Sequence, residues 1–155
     1  DRESIDASTS YTPSSINTAG MQRLADGTRI VAAIRGRDAI YVWTDTSLFV
    51  MRFVGAPFVF SFQQVGTNCG LIGKNAAVEV DGSAYWMSEN GFFRYTGKLD
   101  SLACLVEDYV YDDINTVPKN HIYAGLNNLF GEVTWFYRGS GAASNNRSVT
   151  YNYMD

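Results

Sequence analysis

Histidine and cysteine are almost missing from this chain, which has one His (His121) and two Cys (Cys69, Cys104) in 155 residues. A Ser-His-Asp or Cys-His enzyme would need His121 as its base. Its setting, "PKNHIYAG", is a loop running into a strand, so a surface or hydrogen-bonded imidazole is expected. The cysteines lie 35 residues apart with no CxxC, which is poor spacing for zinc. A buried reduced thiol at each position is the default, and only geometry decides whether the two are bridged.

Basic residues are also scarce: 12 Lys and Arg stand against 16 Asp and Glu, for a net charge of −4 and a pI near 4.9. A tight grip on phosphates needs clustered Lys and Arg, so DNA passing nearby is not expected to be held. No apolar run approaches the roughly twenty residues of a membrane span. No charged-then-apolar leader opens the chain, and a soluble protein is expected. Asp1 stands where Met would start a reading frame, and the chain stops at "YNYMD" just after a strand-like run. The expectation is a piece of something larger.

Aromatic residues and glycine are what the chain does have: ten Tyr, nine Phe, three Trp and fourteen Gly, with only 18% charged residues. That balance favours strands over long helices. The opening "DRESIDASTSYTPSSINTAGMQRLADG" shows no sustained alternation and reads as an extended arm or linker over 1–28. Period-two alternation then takes over in "RIVAAI", "AIYVWT", "SLFVMRF" and "FVFSFQQV", four consecutive antiparallel strands. In the last of these Phe58, Phe60 and Phe62 share one face, which another sheet is expected to cover.

A second set follows the glycine-rich "VGTNCGLIGKN": "AAVEV", "SAYWMS", "FFRYTG" and a short "SLACLV". Asp81-Gly82 and Asn90-Gly91 are the dipeptides that most readily make two-residue hairpin turns. "EDYVYDDIN" is expected to form a helical turn, with Val110 and Ile114 at i and i+4. A third set offers "HIYAGLN", "EVTWFYR" and "RSVTYNYM", without a fourth strand. Trp43, Trp86 and Trp135 recur at intervals of 43 and 49 residues, each in the strand before a turn. Four-stranded meanders recurring every roughly 40–50 residues are the mark of propeller blades. The fold class expected is therefore all-β, antiparallel four-stranded meanders stacked as a partial β-propeller over 29–155, with blades at about 29–66, 75–107 and 120–155.

Other constellations are weak. Glu107, Asp108, Asp112 and Asp113 lack the EF-hand spacing; Asp108 is expected to cap the helical turn, and the others to be solvated. "GLIGKN" misses the phosphate-loop spacing, so Gly70 and Gly73 are read as close backbone approaches. Asn146-Arg147-Ser148 is a chance-level glycosylation sequon. No catalytic, cofactor or metal residue is assigned, and no enzyme is expected.

The phrase "WTDTSLFVMRFVGAPFVFSFQQVGTNCGLIGKNAAVEVDGSAYWMSENGFFRYTGKLDSLACLVEDYVYDDIN" resembles the tail nozzle, tail-tube or packaged-DNA stabilisation proteins of short-tailed bacteriophages, from roughly Ile30 to the end. The resemblance implies a structural virion protein in the phage tail, part of a homo-oligomeric ring that is typically a hexamer. Adaptor and tail-fibre proteins would be its neighbours, and double-stranded DNA would be retained above it and ejected through it without specific binding. The chain is much shorter than a complete member. The alternative is a propeller-type carbohydrate-binding module that stacks host-surface glycan on Trp86 or Tyr95. A glycosidase built on Asp108 and Asp112 is a weaker third reading.

Overall fold

A computed structural model describes residues 12–14 and 19–154. Three antiparallel meanders follow one another along the chain. The first sheet runs β1 (Ile30–Arg35), β2 (Ile40–Thr44), β3 (Ser47–Gly55) and β4 (Val59–Thr67). In the second the order is β5 (Ala77–Val80), β6 (Ser83–Ser88), β7 (Gly91–Tyr95) and β8 (Leu99–Leu102). The third has three strands, β9 (Tyr123–Asn127), β10 (Glu132–Tyr137) and β11 (Arg147–Asn152). A short helix, α1 (Glu107–Asp113), and a 3₁₀ turn at Lys119–His121 lie between the second and third sheets.

The sheets stack face to face in chain order. Trp43 on β2 meets Trp86 on β6 edge-on, ring centroids 5.4 Å apart, and Tyr41 meets Tyr95 at 5.7 Å. On the opposite face of the second sheet, Phe92 meets Trp135 on β10 at 5.0 Å, and Tyr85 packs beside Tyr151. All three tryptophans are fully buried, and aromatic burial of this kind contributes about 2–3 kcal/mol per side chain. Along the first strands β1 touches β5, and β5 touches β9. Sheets joined in succession at their first strands are blades around an axis: the fold is all-β, antiparallel meanders stacked as a partial β-propeller.

One detail of the repeat differs from simple superposition of the tryptophans. In the first sheet Trp43 is one residue from the strand end at Thr44; in the second, Trp86 is two residues from Ser88. Because side chains alternate, a one-residue slip reverses the face. Trp43 therefore points forward onto the second sheet, whereas Trp86 and Trp135 point backward onto the sheet before them.

The connection between the first two sheets is a hub. Cys69 N–H donates to Thr46 O at 3.0 Å and Leu71 N–H to Thr44 O at 3.2 Å, while Ile72 N–H reaches Met87 O at 3.1 Å. The Ala76 carbonyl accepts both Met87 N–H at 3.1 Å and the Trp135 indole N–H at 3.0 Å, so one oxygen ties the second sheet to the third. Gly70 and Gly73 sit where a Cβ would overlap the backbone of Asp45 and Lys119 respectively. Close approach, as expected, explains these glycines.

Two turns show how local chemistry sets the hairpins. Asp81 (φ +48°) and Gly82 (φ +86°) both take positive φ between β5 and β6, the two-residue hairpin that this dipeptide favours. The β6–β7 loop is shifted from the expected Asn90-Gly91: its two residues are Glu89 and Asn90, neither at positive φ, and Gly91 pairs with Ser88 at φ +123°. Here glycine is needed just after the turn, where the strand resumes.

The helical turn is where the pattern put it, but its cap is not. Val106 occupies the N-cap with no side-chain hydrogen bond, and Asp108 lies in the first turn, where a carboxylate favours the dipole without capping. The fourth strand of the second sheet begins at Leu99, earlier than "SLACLV". The phenylalanine face of the first sheet is not covered by another sheet among the described residues: Phe58 is 81% exposed and Phe60 39%. Most of the expected arm over 1–28 lies outside the described residues.

Candidate functional site

The residues that sequence chemistry singled out are scattered or buried. His121 is exposed at the end of the 3₁₀ turn, and its carbonyl accepts a bond from Asn145 Nδ2 at 2.6 Å. Asp108 and Asp112 are exposed, while Asp113 pairs with Arg147 at 2.9 Å. No group of three or more His, Cys, Asp or Glu among the described residues is placed to hold a metal ion. Cys69 and Cys104 are both free thiols. Burial pushes the Cys69 thiol up to about 11, so it stays protonated at neutral pH. Asn146 is exposed, its Oδ1 accepting Gly139 N–H at 3.0 Å.

Trp86 and Tyr95 offer no open ring for a sugar. Trp86 is fully buried, with its indole N–H donating to Cys69 O at 2.7 Å, and Tyr95 is held against Tyr41. Tyr111 is likewise structural: its hydroxyl lies 2.6 Å from Ser88 O and 3.0 Å from Gly91 O. Burial holds that phenol well above its ordinary range. The glycine-rich connection is buried from Cys69 to Gly73, so it serves contacts within the chain.

What remains is a set of surfaces. The β3–β4 hairpin runs past the core: Leu48 and Val50 are fully buried, whereas Phe53 and Val54 near the tip are 70% and 54% exposed. Phe53 and Phe60 pack edge-on at 5.7 Å, and the tip turns through a cis Ala56–Pro57 peptide. A shallow groove of about 300 Å³ lies between the β1–β2 turn and the hairpin, among Arg35, Ile40, Met51, Phe53 and Phe60. A second, apolar cavity of about 210 Å³ opens between the second and third sheets. Beside it Leu105 and Val106 are exposed.

A third, polar hollow of about 530 Å³ is formed by the segment ahead of β1, from Gln22 to Ile30, with Thr44. Two carboxylates anchor this segment to the β2–β3 turn. Asp26 accepts from Ser47 Oγ, from Gln64 Nε2 at 3.1 Å and from Gly27 N–H. Asp45 accepts Thr28 N–H at 2.8 Å and the Thr28 hydroxyl. The Ser47 hydroxyl holds Asp26, and the Thr28 hydroxyl holds Asp45, below the usual carboxylate range. Sequence reasoning missed both; an Asp near a Ser/Thr turn 17 to 21 residues away carries no local signal.

No protein-family model matches the chain, and a search of curated proteins finds no match either. The fold and its surfaces define a class, a three-sheet propeller segment whose distinctive features are strand edges and apolar faces.

Proposed function

We propose that this chain is a structural component of the tail of a short-tailed bacteriophage, forming part of a nozzle or tube ring through which DNA is retained and ejected. The observation that carries the reading is the convergence of β1, β5 and β9 at the inner edge of the three stacked sheets, the geometry of blades arranged around an axis. Across those three strands the only charged residues are Arg35 and Glu79. A chain with so few clustered Lys and Arg suits a component of a conduit wall, because phosphate affinity scales with the cations offered. The net charge of −4 works in the same direction, with salt screening it beyond roughly 10 Å.

Assembly with copies of itself and with adaptor and tail-fibre proteins supplies the role; no reaction is needed. The test is direct. Antibody raised against the chain, applied to purified virions, should label the tail in electron micrographs, and averaged tails should show a symmetric ring whose density accepts the three sheets. Labelled capsids with bare tails, or virions free of the chain, would refute the proposal. A glycan array run on the same material tests the carbohydrate alternative: saturable binding of one glycan class would favour it.

A further inference from the structure

The projecting end of the β3–β4 hairpin has no role so far. We propose that this tip is a membrane-contact element: its phenylalanines enter the interfacial layer of a lipid bilayer while arginines behind them meet anionic headgroups. The inference goes beyond the tail reading and does not rest on it.

The tip stands clear of the stack on both of its faces. Val50, on the face turned to the second sheet, is fully buried, but Val54, two alternations further along that face, is 54% exposed. The second sheet is in place and still does not reach it, because β7 has five residues where β3 has nine. On the opposite face Phe53 is 70% exposed, and Phe58 in the turn 81%. A sheet as short as the second, laid on that face, would stop before them too. The three steps from Phe53 to Ala56 cover about 10 Å at about 3.4 Å each, the depth to which interfacial elements bury apolar side chains.

The chemistry of the tip suits lipid. No charged residue stands between Phe53 and Val65, and the backbone closes its own bonds: Phe53 pairs with Phe60 and Gly55 with Val59 across the hairpin, and Phe60 N–H donates to Phe58 O. Backbone groups satisfied in this way lose little when water is withdrawn. Behind the apolar tip comes a basic collar. Arg52 directly precedes Phe53, and Arg35 and Arg37 line the groove that Phe53 and Phe60 also line. None of the three forms an ion pair among the described residues. One carboxylate, Asp38, shares the groove. Glu79 and Asp81 lie beyond Arg35 and Arg37, beside Gly82, and Glu79 is engaged with Gly82 N–H. In a chain of net charge −4, three unpaired arginines behind one apolar tip are a local departure of the sign that anionic headgroups attract.

The size of the tip separates lipid from a protein partner. Phe53, Val54, Phe58 and Phe60 are its exposed apolar side chains, whereas a stable protein interface takes roughly 20–30 residues a side. A bilayer needs only a few: aromatic rings favour the headgroup level, and arginine stems cover apolar surface while the guanidinium stays in the polar layer. Contact of this kind is reversible, and it strengthens when several copies present their tips together.

Flotation of the full chain with vesicles of phosphatidylcholine alone, and with phosphatidylglycerol added, tests this together with a fluorescent reporter. The three native tryptophans are fully buried, so an indole introduced by Phe58→Trp reports on the tip. The chain should float with the anionic vesicles. The reporter's emission should shift to the blue and be quenched by brominated acyl chains, while wild-type emission stays unchanged. Phe58→Asp should weaken flotation by about tenfold or more, and Arg35→Gln combined with Arg37→Gln should lower binding of anionic vesicles to the level seen with phosphatidylcholine alone. Near-UV circular dichroism of the buried tryptophans would show that the variants are folded. No flotation, flotation indifferent to Phe58→Asp, or binding with the reporter neither shifted nor quenched overturns the inference. A reporter already blue-shifted without lipid overturns it as well: a shift that survives dilution means that the chain covers its own tip, and one lost on dilution that a second copy does. Virion labelling is a separate readout. Vesicle binding by a chain absent from virions sinks the tail reading alone, whereas labelled tails whose chain ignores vesicles sink the membrane contact alone.

Discussion

Replacing each buried tryptophan by phenylalanine should produce unequal losses of stability, because the three indoles are equally buried but differently bonded. Trp86 Nε1–H donates to Cys69 O and Trp135 Nε1–H to Ala76 O, whereas Trp43 Nε1 has no hydrogen-bond partner. Trimming an indole to a phenyl ring leaves a cavity on the order of 40 Å³, which at about 24 cal/mol per Å³ costs about 1 kcal/mol; the lost transfer energy adds about 1 more. At positions 86 and 135 a buried carbonyl also loses a partner, a further cost of about 1–3 kcal/mol. At position 43 the substitution instead removes an unpaired buried donor, which returns a similar amount.

The expected order is therefore about 3–5 kcal/mol for Trp86→Phe and Trp135→Phe, against about 1 kcal/mol or less for Trp43→Phe. Urea unfolding followed by far-UV circular dichroism measures all three, and the comparison holds where the denaturant slopes agree. Ala76 O keeps its bond from Met87 N–H when Trp135 is changed, so position 135 should fall slightly below position 86. Equal losses at 43 and 86 would refute the reasoning, since burial alone would then account for the energetics.

Glycine substitutions should separate steric from conformational cost: Gly70→Ala, whose Cβ would overlap the Asp45 backbone, should lose about 2–3 kcal/mol or more in urea unfolding. Gly82→Ala, with φ +86° and nothing nearer than Arg37 Cβ at 3.6 Å, should lose about 1 kcal/mol from backbone strain alone. The carboxylates of Asp26 and Asp45 are held below their ordinary values, so the anchoring they provide is present above about pH 4, the unfolded range. It is lost as pH falls through their lower folded values. The Thr28 amide should accordingly lose its hydrogen-exchange protection in acid while the Trp135 indole stays protected, and Asp45→Asn should reproduce the effect at neutral pH. Maleimide at neutral pH should alkylate Cys104 in the folded chain and spare Cys69, whose thiol is fully buried and shifted up to about 11; mass mapping of the adduct checks it.

Much of the fold was legible because strand alternation is a strong local signal. The strands, the Asp81-Gly82 turn and the helical turn near Val110 all follow from residues within a few positions of one another. What escaped depends on partners distant in sequence. The face taken by each tryptophan is set by its distance from the strand end, so Trp43 and Trp86 look equivalent in a spacing count yet point in opposite directions. Asn90-Gly91 looked like the ideal hairpin pair, but pairing of Ser88 with Gly91 moved the turn one residue back. The Phe58, Phe60 and Phe62 face was correctly read as apolar; that it would need a cover followed from composition, whereas Phe60 and Phe62 pair with Phe53 and Met51 on the face turned away from the second sheet. Asp26 and Asp45 find their hydroxyl partners only once the segment before β1 folds onto the β2–β3 turn.

The slip of the first tryptophan also gives the stack a direction. With strand ends aligned, Val42 and Phe49 in the first sheet occupy the places of Trp86 and Phe93 in the second. Trp86 belongs to the backward face that lies on the first sheet; on the matching backward face of the first sheet Val42 and Phe49 are buried, whereas Ile40 and Phe53 toward the hairpin are exposed. The forward face of the third sheet is different. Thr134, Thr150, Ser148 and Glu132 share it with a stacked Tyr123–Phe136 pair at 4.9 Å, and Thr134 and Thr150 satisfy one another at 2.9 Å. A face that closes its own hydrogen bonds loses little in water, and one that carries isoleucine and phenylalanine loses more. The unmet hydrophobic demand thus lies at the hairpin half of the first sheet's backward face.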